Sequence, residues 1–211
     1  MNSNFKNIAK AGLAVIALSF VLASCKKDAN VAKLNTVNEQ AAATTNVTGT
    51  VYGHYGNPTV FPPTGYATLY LGLTGTPTTD TSSTAGSRVL KLVSYNNSFA
   101  QAVDTTKYKL YYYYNTSKTW STLKITDFTT SGIAKASIGQ ATTSTSNDGW
   151  YTYDVANPNH PILVAGFFIG VVSKTGLLPS YAVKFNSVSG DGGPTANRGI
   201  YVIQYGTLNN L

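Results

Sequence analysis

Cysteine is almost absent from this chain of 211 residues, in which Cys25 is the only one. A single cysteine cannot form a disulfide within the chain, so stability has to come from a hydrophobic core. The cysteine also stands at the end of an apolar stretch, in the sequence VLASCKKD. Its position therefore suggests a role in targeting rather than in the folded domain.

Charged residues are also scarce, at 11% of the chain compared with about 25% in typical soluble domains. The formal net charge is +7. Apart from Lys26-Lys27, the positive residues are scattered singly along the chain. Nucleic-acid-binding proteins usually gather them into a patch or stripe. We therefore expect no nucleic-acid partner, and interpret the charge as aiding solubility with weak attraction to anionic surfaces.

Long apolar runs are missing as well. Residues 11–23 are apolar except for Ser19 and follow Lys6 and Lys10, but the run is shorter than the roughly 20 residues of a transmembrane helix. A charged start followed by a short apolar run is typical of a signal peptide. The second run, Ile162–Val172, is interrupted by two glycines. It predicts a central core strand with a bend.

The tetrapeptide Leu22-Ala23-Ser24-Cys25 resembles the lipobox of bacterial lipoproteins. The resemblance implies that the Cys25 thiol is acylated, with palmitate as an expected chain, and that cleavage leaves Cys25 as an acylated N-terminus. Two or more acyl chains give stable membrane anchoring. The alternative is cleavage by an ordinary signal peptidase near Ala23, which releases a secreted protein. We expect residues 1–24 to be the signal peptide, residues 25–46 a flexible tether, and the location to be the cell envelope at the outer membrane, on either side of it.

Residues 47–211 carry the alternating pattern of β-strands, rich in β-branched and aromatic residues. About ten segments fit the period-2 template, and turn sequences such as Asn147-Asp148-Gly149 separate them. The pattern predicts an all-β fold, an antiparallel sandwich or a barrel-like sheet. A division into two β units near residue 116 stays open. The predicted strands are VTGTVYGHY, YATLYLGL, RVLKLVSY, YKLYYYY, TWSTLKIT, GIAKASI, WYTYDV, ILVAGFFIGVV, YAVKFNSV and IYVIQY.

Residues with catalytic or metal-binding chemistry are few. The two histidines, His54 and His160, have no second histidine or carboxylate at metal-ligand spacing. The chain has no Gly-x-Ser-x-Gly nucleophile elbow. Its eight acids are dispersed, so a glycosidase-like pair would have to form in space. The sequence therefore predicts no enzyme and no metal site.

Tyrosine is abundant, with 15 residues in the chain, and four of them are consecutive in Tyr111–Tyr114. In a strand, Tyr112 and Tyr114 share one face, and Tyr111 and Tyr113 take the other. One interpretation is a sheet with tyrosines packed on its outer face. The other is an aromatic platform for a planar ligand, a sugar or a partner protein, because tyrosine suits half-wet surfaces.

The C-terminal part resembles the HmuY-like haem-binding lipoproteins of the Bacteroidetes. The matching segments are GWYTYD (149–154), the histidine and apolar strand of 160–172, SKTG (173–176), YAVKFNSV (181–188) and IYVIQY (200–205). The resemblance implies a lipoprotein that binds haem or another tetrapyrrole, with an outer-membrane receptor as partner. The axial ligands of that family do not map onto numbered positions. The candidate ligand-binding residues are His54, His160, Tyr112 and Tyr114.

A second resemblance covers Val47–Asn115, where GTVYGHY, ATLYLGL and FAQAVDTTKYKLYYYY follow the order of the carboxypeptidase regulatory, transthyretin-like module. That resemblance implies a structural unit without haem. The sequence thus leaves two expectations. One is a lipid-anchored envelope protein that binds haem or a tetrapyrrole. The other is a structural or adhesive surface module that binds protein or glycan and has no small-molecule ligand.

Overall fold

The computed structural model describes residues 46–74, 88–153 and 161–208. Within these ranges the chain forms eleven β-strands and one short α-helix, α1 (Ile125–Thr129), so the predicted all-β antiparallel class is confirmed. Cys25, His160, the expected signal peptide and residues 25–45 of the expected tether lie outside the described residues. The strands are β1 (Val47–Tyr52), β2 (Leu69–Leu71), β3 (Leu90–Val93), β4 (Phe99–Ala102), β5 (Tyr108–Tyr114), β6 (Ile133–Ala134), β7 (Tyr151–Tyr153), β8 (Pro161–Leu163), β9 (Phe167–Ser173), β10 (Ser180–Gly193) and β11 (Ala196–Leu208).

The largest sheet has six strands in the order β1-β11-β10-β9-β5-β6, and every neighbouring pair is antiparallel. It draws strands from both sides of residue 116. The β10–β11 hairpin is its longest unit and pairs from Ser180–Leu208 to Gly193–Ala196, with a register shift between Phe185 and Ser187. Two smaller sheets complete the fold, β2-β3-β4 and β7-β8.

The main core lies between the six-stranded sheet and the β2-β3-β4 sheet. Alternating residues of β2 to β4 are buried against inward-facing residues of β5, β9, β10 and β11, as period-2 patterning requires. Strand β9 is buried along its whole length. Burial on both faces explains why residues 167–172 of this strand are all apolar. The core contains Leu69, Leu71, Leu90, Leu92, Leu110, Ile169, Val171, Val183, Phe185, Tyr201, Ile203 and Tyr205.

The opposite face of the six-stranded sheet is covered by α1 and its neighbouring loop. Phe128 of α1 is fully buried and lies over Gly170 of β9, where an added Cβ would come within 2.6 Å of the Phe128 ring. The glycine therefore leaves the space that lets the helix approach the sheet. Tyr113 meets the same Phe128 ring edge-on, with centroids 6.1 Å apart. In the described residues, no helix is long and apolar enough to cross a membrane.

The predicted strands TWSTLKIT and Ile162–Val172 were wrong in detail. The segment TWSTLKIT forms a 3₁₀ turn, Trp120–Thr122, and then begins α1. The carboxylate of Asp127 accepts the Lys124 N–H at 2.7 Å and pairs with the Lys118 ammonium at 2.8 Å, which favours a helix start over an extended chain. The run 162–172 is split between β8 and β9, because Gly166 takes φ 74° in the intervening turn.

Candidate functional site

The candidate site is built around the turn of residues 94–98, between β3 and β4. Three non-glycine residues in this turn have positive φ: Ser94 (67°), Asn96 (52°) and Asn97 (54°). The ψ of Ser94, −164°, puts it in a region that is essentially reserved for glycine. Such residues cost about 1–3 kcal/mol each and persist only where the surroundings hold them. The turn is therefore strained, and neighbouring side chains hold it in place.

The first support is the side chain of Asn97, which is fully buried. Its Oδ1 accepts the backbone N–H of His54 at 2.9 Å. Its Nδ2 donates to the carbonyl oxygens of Ala67 at 2.7 Å and Leu92 at 3.1 Å. An amide supplies both acceptor and donors in one group. Asn97 thus ties together the segment after β1, the lead into β2 and the end of β3.

The second support comes from the polar ends of three aromatic residues. Trp150 Nε1 donates to the Ser98 carbonyl oxygen at 2.9 Å, and the Tyr151 hydroxyl donates to Ser98 Oγ at 3.2 Å. The Tyr201 hydroxyl donates to the Asn96 carbonyl oxygen. Each ring is almost completely buried while its polar atom is satisfied by the turn. The turn is therefore fixed from β7 and from β11.

The rings themselves form a rigid wall. Trp150 stacks on Phe185 with centroids 4.0 Å apart and an interplanar angle of 14°. Tyr201 meets both rings edge-on at 5.8 Å. Stacked and edge-to-face pairs add about 0.5–1.5 kcal/mol each beyond burial. This aromatic cluster holds the strained turn in one conformation.

A cleft of about 180 Å³ opens between this turn, the β7–β8 hairpin and the outer part of the β10–β11 hairpin. For comparison, a cavity of about 150 Å³ is large enough to bind benzene. The cleft therefore has room for about one six-membered ring. None of the described residues that line it is an acid or a histidine. Its walls carry mainly Tyr95, Asn96, Trp150, Tyr151, Tyr153, Arg198 and Tyr201.

A second hollow of about 440 Å³ adjoins the cleft and shares Tyr95 with it. Tyr95 is 38% exposed and lies against Tyr66 with ring centroids 5.3 Å apart. Pro62 and Pro63 line the far side of this hollow, and the neighbouring Phe61 is 98% exposed. The end of the molecule that carries the cleft, the hollow and Phe61 is called the cleft end below.

Arg198 provides the fixed charge at the rim of the cleft. Its guanidinium lies between the rings of Tyr52 and Tyr55, at 4.9 and 4.5 Å from their centroids. Its Nε and Nη2 both donate to Asp191 Oδ2, at 3.0 and 2.9 Å. The Tyr55 hydroxyl donates to the same oxygen at 2.8 Å. These bonds, the Tyr55 hydroxyl first, lower the pKa of Asp191, so the carboxylate stays ionised and keeps Arg198 in place.

Burial keeps the phenols of Tyr151 and Tyr201 neutral. Desolvation raises the pKa of Tyr151 to about 12, partly offset by its bond to Ser98. It raises the pKa of Tyr201 as well. The site therefore presents neutral rings and hydroxyls beside one guanidinium, an arrangement suited to a polar ring that carries no positive charge. Among the described residues, no three histidine, cysteine or acidic side chains converge to hold a metal ion.

Three of the four predicted ligand-binding residues are described by the structure, and none of the three lines this cleft. Tyr112 is 8% exposed and stacks on Phe167, with centroids 5.3 Å apart. Tyr114 ends β5 and is 38% exposed. His54 bonds to Asn97 through its backbone, and no described residue offers a hydrogen-bond partner to its buried Nε2. The structure does not bring these three residues together at one surface.

Haem, the ligand implied by the C-terminal resemblance, does not fit the cleft. Space for about one six-membered ring is too small for a four-ring macrocycle. The imidazole Nε2 of His54 is buried and lines neither the cleft nor the hollow. His54 therefore offers no axial ligand to the cleft or to the hollow.

Comparison of the chain with protein-family models, curated proteins and solved structures found no match. Function is therefore inferred from the geometry of the site. The alternating pattern of RVLKLVSY predicts a strand through Tyr95 and gives no sign of the turn of residues 94–98. In the structure that strand ends at Val93. The signal present was the pair Asn96-Asn97, because asparagine tolerates positive φ better than most residues.

Proposed function

We propose that this protein is a lipid-anchored binding protein of the cell envelope, and that its cleft end binds a glycan chain. The choice of a glycan as ligand rests on one observation: the cleft and the hollow adjoin and share the half-exposed ring of Tyr95. The cleft accommodates about one ring, and the hollow beside it provides a place for the next. Successive rings joined by flexible linkages are the defining feature of an oligosaccharide.

The chemistry of the walls also suits sugars. A pyranose ring has apolar C–H faces, which pack on aromatic rings, and hydroxyl groups around its edge. The phenols of Tyr95 and Tyr153 supply such rings. Arg198 and Asn197 also line the cleft, and the side-chain N–H groups that remain beside their bonds to Asp191 and Tyr66 are available to edge hydroxyls. A few placed polar groups among apolar walls are typical of small-molecule sites.

Binding rather than catalysis is proposed because the described residues that line the cleft include no carboxyl group and no imidazole. Glycoside hydrolysis requires two carboxyl groups on either side of the scissile bond. The carboxylate near the cleft, Asp191, is engaged by Arg198 and Tyr55. The proposed envelope location rests on the lipobox-like Leu22–Cys25, and the anchor is the acylated Cys25.

The test uses NMR of the mature chain, residues 25–211 with Cys25→Ser. The chain has two tryptophans, and the indole N–H of Trp150 borders the cleft while Trp120 packs on the other side of the sheet. Titration with chitotetraose, cellotetraose and maltotetraose is expected to shift the Trp150 signal saturably and leave that of Trp120 in place. Absence of a Trp150 shift with every glycan overturns the proposal.

Matched tyrosine variants locate the site. Tyr95 and Tyr114 are both 38% exposed, but only Tyr95 lines the cleft and the hollow. Tyr95→Ala is expected to weaken glycan binding at least tenfold, and Tyr114→Ala to leave it unchanged. The reverse result would favour the predicted tyrosine strand as the platform. Haemin is titrated in parallel, and a saturable Soret shift without glycan binding would replace the glycan proposal with the tetrapyrrole one.

A further inference from the structure

The end of the sheet opposite the cleft concentrates positive charge. Lys109, Lys135 and Lys174 line a groove of about 840 Å³, and no described residue that lines this groove is acidic. Lys107 is adjacent, because its carbonyl oxygen accepts the Lys174 N–H at 2.9 Å. These four lysines and the loop of residues 174–179 are called the lysine end. Like charges gathered in this way produce a positive surface potential.

The aspartate at the lysine end does not cancel this charge. Asp104 pairs with Lys107 at 3.1 Å and accepts hydrogen bonds from the Thr106 hydroxyl and backbone. These bonds, led by that of the Thr106 hydroxyl, lower the pKa of Asp104. Asp104 therefore pairs with one of the four lysines, Lys107. The remaining three positive charges have no acidic partner among the described residues.

An exposed apolar side chain, Leu177, lies in the loop that begins at Lys174 and joins β9 to β10. This leucine is 87% exposed. A solitary exposed leucine is common on protein surfaces and needs no explanation by itself. Here the exposed leucine lies in the same loop as Lys174, at the end of the sheet that carries the other lysines. Apolar side chains that enter the lipid and lysines that contact the headgroups are the composition of interfacial membrane-binding segments.

The chain also enters the β domain at the lysine end. Val47, the first residue of β1, lies opposite Tyr205, and β11 ends three residues later at Leu208, which pairs with Ser180 beside the β9–β10 loop. The preceding segment contains Cys25, the proposed lipid attachment point. The cleft lies at the other end of the same sheet, where Gly190 and Arg198 line it.

We propose that the lysine end docks on a lipid bilayer with anionic headgroups, with Leu177 entering the lipid. Docking holds the β domain upright, so the cleft faces away from the membrane. The inference rests on the proposed envelope anchor for its setting, but it needs neither the glycan nor an intact cleft. Each lysine near an anionic membrane is expected to contribute about fivefold to the affinity, and salt screens this contribution.

The test is cosedimentation of the unacylated mature chain (Cys25→Ser) with phosphatidylglycerol–phosphatidylcholine vesicles and with pure phosphatidylcholine vesicles. Binding is expected on the mixed vesicles only and is lost at high salt. Lys109→Gln with Lys174→Gln should weaken binding about 25-fold, from about fivefold per lysine. The matched control, Lys91→Gln with Lys184→Gln, removes two charges from strands whose lysines do not line the groove and should change binding by less than threefold.

The leucine distinguishes a bilayer from a soluble polyanion. Leu177→Ser should weaken vesicle binding and leave binding to inorganic polyphosphate unchanged. Equal binding to both vesicle types, or equal effects of the two lysine pairs, overturns the proposal. Unchanged vesicle binding in Leu177→Ser overturns it as well. Tyr95→Ala should bind vesicles like the wild type, so failure of the glycan proposal and failure of the docking proposal give different results.

Discussion

The indole nitrogen of Trp150 lies 2.9 Å from the carbonyl oxygen of Ser98, a residue 52 positions earlier in the chain. The bond joins the start of the β7–β8 hairpin to the strained turn between β3 and β4. It also sets one wall of the cleft, because both residues line that space. The same contact therefore contributes to the stability of the domain and to the shape of its candidate binding site.

Replacing Trp150 with phenylalanine is expected to destabilise the protein by about 2–4 kcal/mol, since it removes ring volume and leaves a buried carbonyl without its donor. Urea denaturation gives the change in the free energy of unfolding. Trp120→Phe is the control, because no described residue accepts a hydrogen bond from its Nε1. Equal destabilisation by the two substitutions would show that the bond to Ser98 contributes nothing.

Relief of backbone strain is expected from Ser94→Gly, which should stabilise the protein by about 1 kcal/mol. The gain is the strain at φ 67°, reduced by the larger entropy that glycine loses on folding. Ser98→Gly is the matched comparison, with φ −93° in the same turn. It removes the hydroxyl that bonds to Tyr95 and Tyr151 and should destabilise. Thermal denaturation measures both, and a loss of stability in Ser94→Gly would contradict the assignment of strain.

Alkaline pH is expected to act through Tyr151. Its folded pKa is about 12, above the value of about 10 in an unfolded chain. The unfolded state therefore loses the phenolic proton first, and stability falls as pH rises from about 10 to about 12, by up to about 1.4 kcal/mol per pH unit. Below pH 10 this contribution is fully present.

The check on Tyr151 is the free energy of unfolding from pH 8 to pH 12 for the wild type and Tyr151→Phe. Other tyrosines with raised pKa values, such as Tyr201, contribute to the slope of both proteins. The difference between the two proteins should shrink above pH 10, because only the wild type carries this phenol. A difference that stays constant over the whole range would rule out the burial argument.

Much of the sheet could be predicted from alternation. YKLYYYY became β5, with Tyr108, Leu110 and Tyr112 in the main core and Tyr113 on the opposite face, as a period of two requires. YAVKFNSV and IYVIQY fall within β10 and β11. These strands pack on both sides, so the pattern that marks them is set by the core. The same logic failed for TWSTLKIT, where local bonds to Asp127 decided the conformation.

The candidate site could not be predicted in the same way. Its walls come from residues near 95, 150 and 200, which meet only after the sheets have formed. Single residues such as Asn97 and Ser98 act through hydrogen bonds to distant strands, and no periodicity marks them. The abundance of tyrosine did suggest an aromatic binding surface. Spacing along one strand pointed to Tyr112 and Tyr114, whereas the cleft uses tyrosines from separate elements.

The pairing of β1 with β11 has a consequence for biogenesis. The first strand of the domain finds its only strand partner among the described residues in the last one, with Val47 opposite Tyr205. The six-stranded sheet therefore cannot close while the C-terminal segment is still being synthesised or threaded through a channel. Sheets dominated by such distant pairings fold slowly, in milliseconds to seconds. A sheet that closes only after β11 is available would suit the proposed envelope location, because export through a channel requires an unfolded chain.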